Sequence, residues 1–377
     1  MSDEAAAHTI IDAERAPDRL QAAVERLARR KKIPHVILGV ATSDDSFRWT
    51  GAAGPADSSG AAVQPDSPYF VASVTKLYIA TAVLQLVERN RVDLDEPMLT
   101  YLPEDRVGGI HRTGDEDHTP EITVRHLISH TSGLPDYLED APRGGESMYR
   151  RLSRGEDQAW NFDEAVRIVR EDLTPHFSPR TLGDKPVRAR YSDTNFQLLI
   201  AIVEAVTGQA IHEVFTERIL EPLGLGQTYL PGHSEPSQPA SARAAGLWAK
   251  DRQLDLPGAM GSFNDLYSTT DDTLRFMQAL VSGELFDDPG TFELMRQRWN
   301  PIFYPIHYGL GLMKFRIGRL VAPGTKPVTL IGHAGATGSW LFHCPELDVI
   351  MSGTVDEVDA RRIPFRFMAR VLRAACK

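Results

Sequence analysis

Apolar residues along this chain follow two rhythms. From about Pro17 to Lys32, Leu20, Val24, Leu27 and Ala28 recur at helical spacing, which predicts an amphipathic helix. "HVILGVATSDDSFRWTGAAG" then gives two short strand-like runs around an Asp-rich turn. Near the other end "SWLFHCPELDVIMSGTV" has the same form, with its turn built on Cys344-Pro345-Glu346. The closing "IPFRFMARVLRAAC" reads as helix again. In between, "SDTNFQLLIAIVEAVTG" predicts a helix ended by Gly208. "TTDDTLRFMQALVSG" predicts another, opened by Thr and Asp caps and stopped at Gly283.

This order implies an α+β fold, with an antiparallel sheet flanked by N- and C-terminal helices and a mostly helical insertion. The expected sheet region is residues 1–84 and 300–377, and the expected helical region is 85–299. Residues 139–190, rich in Arg, Glu, Pro and Gly, read as a mobile connection bordering a cleft between the two. No internal repeat or low-complexity segment stands out.

Composition narrows the partners. The 377 residues are 42% apolar and 24% charged, the profile of an ordinary globular protein. A net charge of −10 without a long basic run argues against nucleic acid and anionic membrane. The opening "MSDEAAAHTIIDAERAPDRL" lacks the basic start and apolar core of an export signal. No apolar stretch approaches bilayer-spanning length. Two cysteines, Cys344 and Cys376, are too few for a disulfide framework, so the expectation is a cytosolic protein. Nothing in the sequence specifies an oligomeric state.

Three segments are chemical candidates. In "YFVASVTKLYIATAVLQLVERN", Ser73 and Lys76 stand three apart where an apolar run begins. On a helix they share a face, and first-turn N–H groups and the helix dipole point toward Ser73. They are either a capping serine with a solvated lysine or a nucleophile with its activator. "YSDTNFQLL" places Tyr191 at a helix entrance, either as a phenol for chemistry or as packing beside a cap at Ser192 or Asp193. "IGHAGATGSWLF" sets His333 and Gly335 just before a strand, either a ligand's approach to the sheet edge or a glycine-rich turn. His126 and His130, four apart, could share a metal, but "HTSGL" after them reads as a helix end and turn. No metal and no cofactor are expected.

The joint order S-x-x-K, Y-S-D and H-x-G resembles the serine hydrolases that include class C β-lactamases, D-alanyl-D-alanine peptidases and family VIII esterases. "LISHTSGLPDY", "YGLGL" and "LYSTTDDTLRFMQAL" are similar to segments of the same family, and the resemblance runs from roughly Val36 to Asp356. It implies a β-lactamase/transpeptidase-like fold with its site in the cleft between sheet and helical region. It also implies Ser73 as acylated nucleophile, Lys76 and Tyr191 as the proton-handling pair, and an oxyanion hole from the N–H groups of Ser73 and Ala336.

Two departures refine the expectation. Many relatives have asparagine where this chain has Asp193, and a carboxylate beside Lys76 favours the ammonium form. Proton abstraction is therefore assigned mainly to Tyr191, its phenol made more acidic by a charged Lys76. His333 stands where many β-lactamases carry the lysine of K-T-G, which removes a fixed cation but leaves a hydrogen-bond donor. His333, Gly335, Asp193 and Trp160 are the candidate substrate contacts, with Phe162 and Phe177 as further candidate cleft residues. The S-D-N motif of class A lactamases fails at Thr194, and no G-x-S-x-G of α/β-hydrolases occurs. The expected activity is hydrolysis of small carboxylic esters or lactones through an acyl-enzyme. The alternatives are a β-lactamase or D-amino-acid peptidase or amidase of the same mechanism, and a non-catalytic binding protein.

Overall fold

The computed structural model describes residues 11–30, 32–183, 185–318, 327–358 and 360–376. The first ten residues, which contributed to the expectation of no export signal, lie outside them. An eight-stranded antiparallel sheet organises the fold. Its strands are β1 (Val36–Ala41), β2 (Arg48–Ala53), β3 (Asn300–Phe303), β4 (Ile306–Tyr308), β5 (Met313–Ile317), β6 (Val328–Ala334), β7 (Trp340–Cys344) and β8 (Val349–Thr354). Their spatial order is β2-β1-β8-β7-β6-β5-β4-β3, so the two ends of the chain meet where Ile37 pairs with Thr354.

Period-two alternation decides which side chains face which layer. Val36, Leu38, Val40, Phe342 and Met351 join one core, under helices α1 (Ala16–Ala28) and α5 (Ile363–Ala375). Ile37, Ala41, Leu341 and Ile350 join the other, under the helical region. Helix α1 buries Leu20, Val24 and Leu27 as its spacing predicts, but ends at Ala28, four residues before Lys32. Each such leucine or valine contributes about 1.5–3 kcal/mol relative to exposure.

Helices α2 (Thr75–Glu88), α3 (Asp193–Thr207) and α4 (Thr270–Ser282) lie on the site side of the sheet. The expected boundary at residue 84 falls inside α2, which is buried over most of its length. Helix α4, expected within the helical insertion, packs directly on the sheet. A Cβ on Gly39 of β1 would come within 2.8 Å of Leu274 and 2.9 Å of Thr270. Among the described residues no single helix is long and apolar enough to cross a membrane.

Candidate active site

A one-turn helix at Ala72–Val74 feeds straight into α2, and it brings Ser73 and Lys76 onto one face. Ala72 has φ +48°, a left-handed conformation that costs a residue with a Cβ about 1–2 kcal/mol. The surroundings hold it there: Val71 N–H donates to Leu266 O at 2.9 Å, and Ser339 Oγ donates to Val71 O at 2.7 Å. Lys76 Nζ stands 3.3 Å from Ser73 Oγ and is almost fully buried. Its charge partner is Asp193, with which it forms a close ion pair.

Tyr191 and Asp193 reach this point from far along the chain because residues 130–137 grip both. Arg190 N–H donates to His130 O at 2.9 Å, and Ser192 N–H lies 3.3 Å from His130 Nδ1. The His130 and Tyr191 ring centroids are 4.5 Å apart. Asp193 N–H donates to Asp136 Oδ2 at 3.0 Å, which fixes the first turn of α3. Lys76 Nζ then lies 5.3 Å from the centre of the Tyr191 ring, and the buried phenol oxygen lies beside Ser73 without a well-aligned hydrogen bond. Hydroxyl, ammonium and phenol thus converge.

The electrostatics differ in part from the sequence expectation. Burial pulls the Lys76 pKa down, but Asp193 and Asp265 more than reverse this, and the lysine stays charged. The Tyr191 phenol is not made more acidic. Burial pushes its pKa well above the ordinary value, and Asp193 pushes the same way. Contact with Ser73 acts in the opposite sense, too weakly to compensate. The phenol is therefore neutral at rest, because burial disfavours the phenolate and Asp193, Asp265 and Asp136 add to that effect.

The profile of the Beta-lactamase family matches residues 20–360. The chain belongs to the Beta-lactamase family. Among its relatives, esterase EstB of Burkholderia gladioli is 29% identical over 297 residues, which cover 72% of this chain and 71% of the esterase. Penicillin-binding protein 4 of Amycolatopsis lactamdurans is also 29% identical, over 223 residues, but the match spans only 51% of that protein. A solved D-stereospecific amidohydrolase from Streptomyces sp. superposes with a TM-score of 0.71 at 26% identity, covering 97% of this chain and 98% of that one. Members of the Beta-lactamase family are serine hydrolases, and their shared fold of antiparallel sheet beside helices is the fold found here.

In this Beta-lactamase family chain a narrow cavity opens beside Ser73, with about 760 Å³ of free space when its mouth is included. The part of it open to the centre of a water-sized sphere is about 60 Å³, so the enclosed space is small. Ser73, Lys76, Asp193 and Ala336 all line it, while the walls are apolar, with Phe70, Leu254, Met260 and Phe263 among them. Gly335, expected to touch substrate, instead allows close packing behind the wall. A Cβ there would stand 2.2 Å from Ser339 Oγ and 2.9 Å from Ala72 Cβ. That contact locks the loop bearing Ala336 against the turn bearing Ser73.

His333 is fully buried and does not line the cavity. Its Nδ1 lies 3.0 Å from Ala334 O and its Nε2 3.0 Å from the Tyr308 hydroxyl. A carbonyl can only accept, so Nδ1 carries the proton and Nε2 accepts from Tyr308. Burial holds the ring neutral. The expected donor to substrate is thus committed to a tyrosine. Trp160 packs behind the cavity against Tyr137 and Phe263, at ring distances of 6.0 and 5.0 Å. Phe162 and Phe177 lie elsewhere, stacked under Arg106 and Arg180. Segment 139–190 reaches the cavity instead through Glu139, Tyr149 and Leu152. His126 and His130 serve turns, as "HTSGL" implied: His126 Nε2 lies 2.7 Å from Arg180 O, and His130 Nδ1 lies 3.0 Å from Asn195 Nδ2.

Sequence reasoning missed Asp265, Asp136 and Glu139. Burial pushes the Asp265 pKa up to about 7, against the pull of Lys76. Asp136 and Glu139 are raised for the same reason. Asp136 and Tyr308 sit within quoted family segments, "LISHTSGLPDY" and "YGLGL", and could have been singled out there. Asp265 carries no such signal.

Proposed function

We propose that this chain hydrolyses small, apolar carboxylic esters, lactones among them, through an acyl-enzyme on Ser73. One observation supports this over an anionic substrate: the ionisable cavity walls are Lys76, two tyrosines and the carboxylates of Glu139, Asp193 and Asp265. Lys76 is already paired with Asp193. A β-lactam or peptide carboxylate would find no free cation among these groups, since Lys76 is held by Asp193 and Glu139 lies 2.7 Å from Arg361, whereas a neutral ester meets apolar wall.

In this reading Ser73 Oγ attacks the carbonyl carbon, and the N–H groups of Ser73 and Ala336 hold the developing oxyanion. Tyr191, neutral at rest, passes a proton without storing charge. The Ser73 proton moves to the phenol oxygen as the phenol proton moves to the leaving oxygen. Water then repeats the relay in reverse, giving its proton to Tyr191 while Tyr191 returns one to Ser73 Oγ, and the acid is released. The charged Lys76 steadies electron density on both oxygens throughout.

The test is a hydrolysis panel of p-nitrophenyl esters, lactones, nitrocefin and D-Ala-D-Ala peptides, with Ser73→Ala beside wild type. The expected result is ester or lactone turnover that disappears in the variant, with nitrocefin and the peptides slower. Turnover surviving in Ser73→Ala would remove the nucleophile, and nitrocefin as the best substrate would remove the charge argument.

A further inference from the structure

Arginines gather on the face of the sheet away from Ser73. Helices α1 and α5 pack side by side there, and Asp12 N–H donates to Ala375 O at 2.9 Å, so the two run in opposite directions. Their apolar faces, with Leu20, Val24, Phe367 and Val371, are buried in the core, and a groove is left between their outer faces. Arg19 and Arg26 of α1 and Arg370 and Arg373 of α5 line it, together with small side chains such as Ala23 and Ala374. The space open to the centre of a water-sized sphere is about 490 Å³, far more than beside Ser73.

These charges lack counter-charge. Among the described residues no carboxylate lines the groove, and Arg26, Arg370 and Arg373 make no ion pair. Arg19 reaches Asp12 only at 3.6 Å, while Glu25, beside Arg26 in sequence, pairs with Arg29 at 3.5 Å. Burial pushes the Arg370 pKa down, and Arg30, Arg373, Arg26 and Arg366 push the same way. So many like charges together weaken the compact state. The helix dipole favours a cation in the last turn, which accounts for Arg26 and Arg373. Arg366 and Arg370 lie before the last turn of α5, where it offers no such gain. The whole chain carries −10, so the surface outside this cluster is more acidic still.

We infer that this groove binds a small soluble anion carrying several phosphate groups in a row. Packed helices lie about 8–10 Å apart, so a phosphate between them comes within reach of guanidinium groups from both. The guanidinium fork matches phosphate oxygens in pairs, and successive phosphates supply the charge that the arginines lack. The occupant is compact, because an extended anionic membrane or duplex would repel the acidic remainder of the surface. Arg370 is also half-buried in the groove, where a flat surface reaches it poorly. Nucleotide bases find no stacking platform here. The exposed large apolar side chains among the described residues are Phe303 and Tyr304, at the β3 edge of the sheet. The site is separate from the Ser73 cavity and independent of the reaction proposed there.

Two measurements on the full chain test this. The first is calorimetric titration with tripolyphosphate, for wild type and for the double variant Arg26→Gln/Arg370→Gln. Saturable binding is expected, weaker in the variant by about tenfold or more, the scale of losing hydrogen bonds to a charged group. It should also weaken as salt is added. Absence of binding, or equal affinity in the variant, would overturn the inference. Citrate bound as tightly as tripolyphosphate would remove the assignment to phosphate. Capture by phosphatidylserine vesicles without binding of tripolyphosphate would make the face a lipid surface instead. The second measurement is thermal. Both substitutions lie on the surface and relieve like-charge repulsion, so the unliganded variant should melt no lower than wild type. Tripolyphosphate should raise the melting temperature of wild type and leave the variant's nearly unchanged, and equal shifts in the two would count against the groove. Neither readout involves ester hydrolysis, so this inference and the reading of Ser73 fail separately.

Discussion

Exchanging Asp193 for asparagine removes the negative charge beside Lys76 and leaves the side-chain shape almost unchanged. In the native site the carboxylates overcome burial and keep the lysine charged. Without Asp193 burial prevails, and the folded chain binds that proton less tightly than the unfolded chain. The two proteins then differ in the sign of their pH dependence. In wild type the Lys76 pKa is raised in the folded state, so its contribution is fully present below the ordinary value of 10.5 and is lost only as pH rises through the folded value. In the variant the unfolded state holds more protons near neutrality, so stability rises with pH. Holding a lysine uncharged at about pH 8 costs about 3 kcal/mol, at roughly 1.4 kcal/mol per pH unit below its free value. Orphaning one partner of a buried pair costs about 3–5 kcal/mol by mutation, which agrees. Urea melts from about pH 6 to pH 9 read both size and slope. The expected result is a deficit near 3 kcal/mol at about pH 8 that grows in acid and shrinks in alkali. A deficit of the same size at every pH would refute the reasoning, because Asp193 would then be structural and would not hold the lysine's charge.

Tyr191→Phe deletes a buried hydroxyl that lies beside Ser73 without a well-aligned hydrogen bond. Stability should hold or rise by about 1 kcal/mol, and kcat should fall about 10²–10⁴-fold. A destabilised variant with normal turnover would give the phenol a packing role only. Gly335→Ala drives a Cβ into Ser339 and Ala72. It should displace the Ala336 loop and cut kcat by about 10²–10³-fold, read as a slower acylation burst, and wild-type kinetics would contradict the proposed oxyanion hole. Asp265→Asn removes a carboxyl raised from 3.8 to about 7. The wild-type folded state keeps this proton longer than the unfolded state, so wild-type stability declines as pH rises across that window. The variant should gain about 2–4 kcal/mol above about pH 7 and nothing near about pH 4, read by thermal melts at both pH values. An equal gain at both would assign the effect to packing.

Much of the fold was legible because its signals are local. The strand–turn–strand pairs at the two ends and the helices closed by Gly208 and Gly283 depend on period and on positive-φ glycines, both visible in sequence. Ser73 and Lys76 were legible for the same reason, one turn apart on one helix. Tyr191 and Asp193 needed the family resemblance, since only the tertiary grip of residues 130–137 brings them to α2. His333 misled because its motif position says nothing about tautomer or neighbours, and Tyr308 lies on a different strand. The acidity of Tyr191 was misjudged because one ammonium was counted, while burial of the phenol and the nearby carboxylates, which need the tertiary structure, were not. Asp265 belongs to no motif at all, and only the loop anchored on Gln197 and Thr75 delivers it to the cavity.

The pairing of Ile37 with Thr354 has a consequence for biosynthesis. At about 5–20 residues per second, the ribosome makes the first strand about 15–60 s before the partner that completes its centre. The serine-bearing helix emerges early, while the loop with Ala336 is finished only just before that partner. On the proposed roles, a nascent chain therefore holds the Ser73 hydroxyl without the Ala336 N–H for most of translation, and a chain truncated before Ala336 would never acquire it.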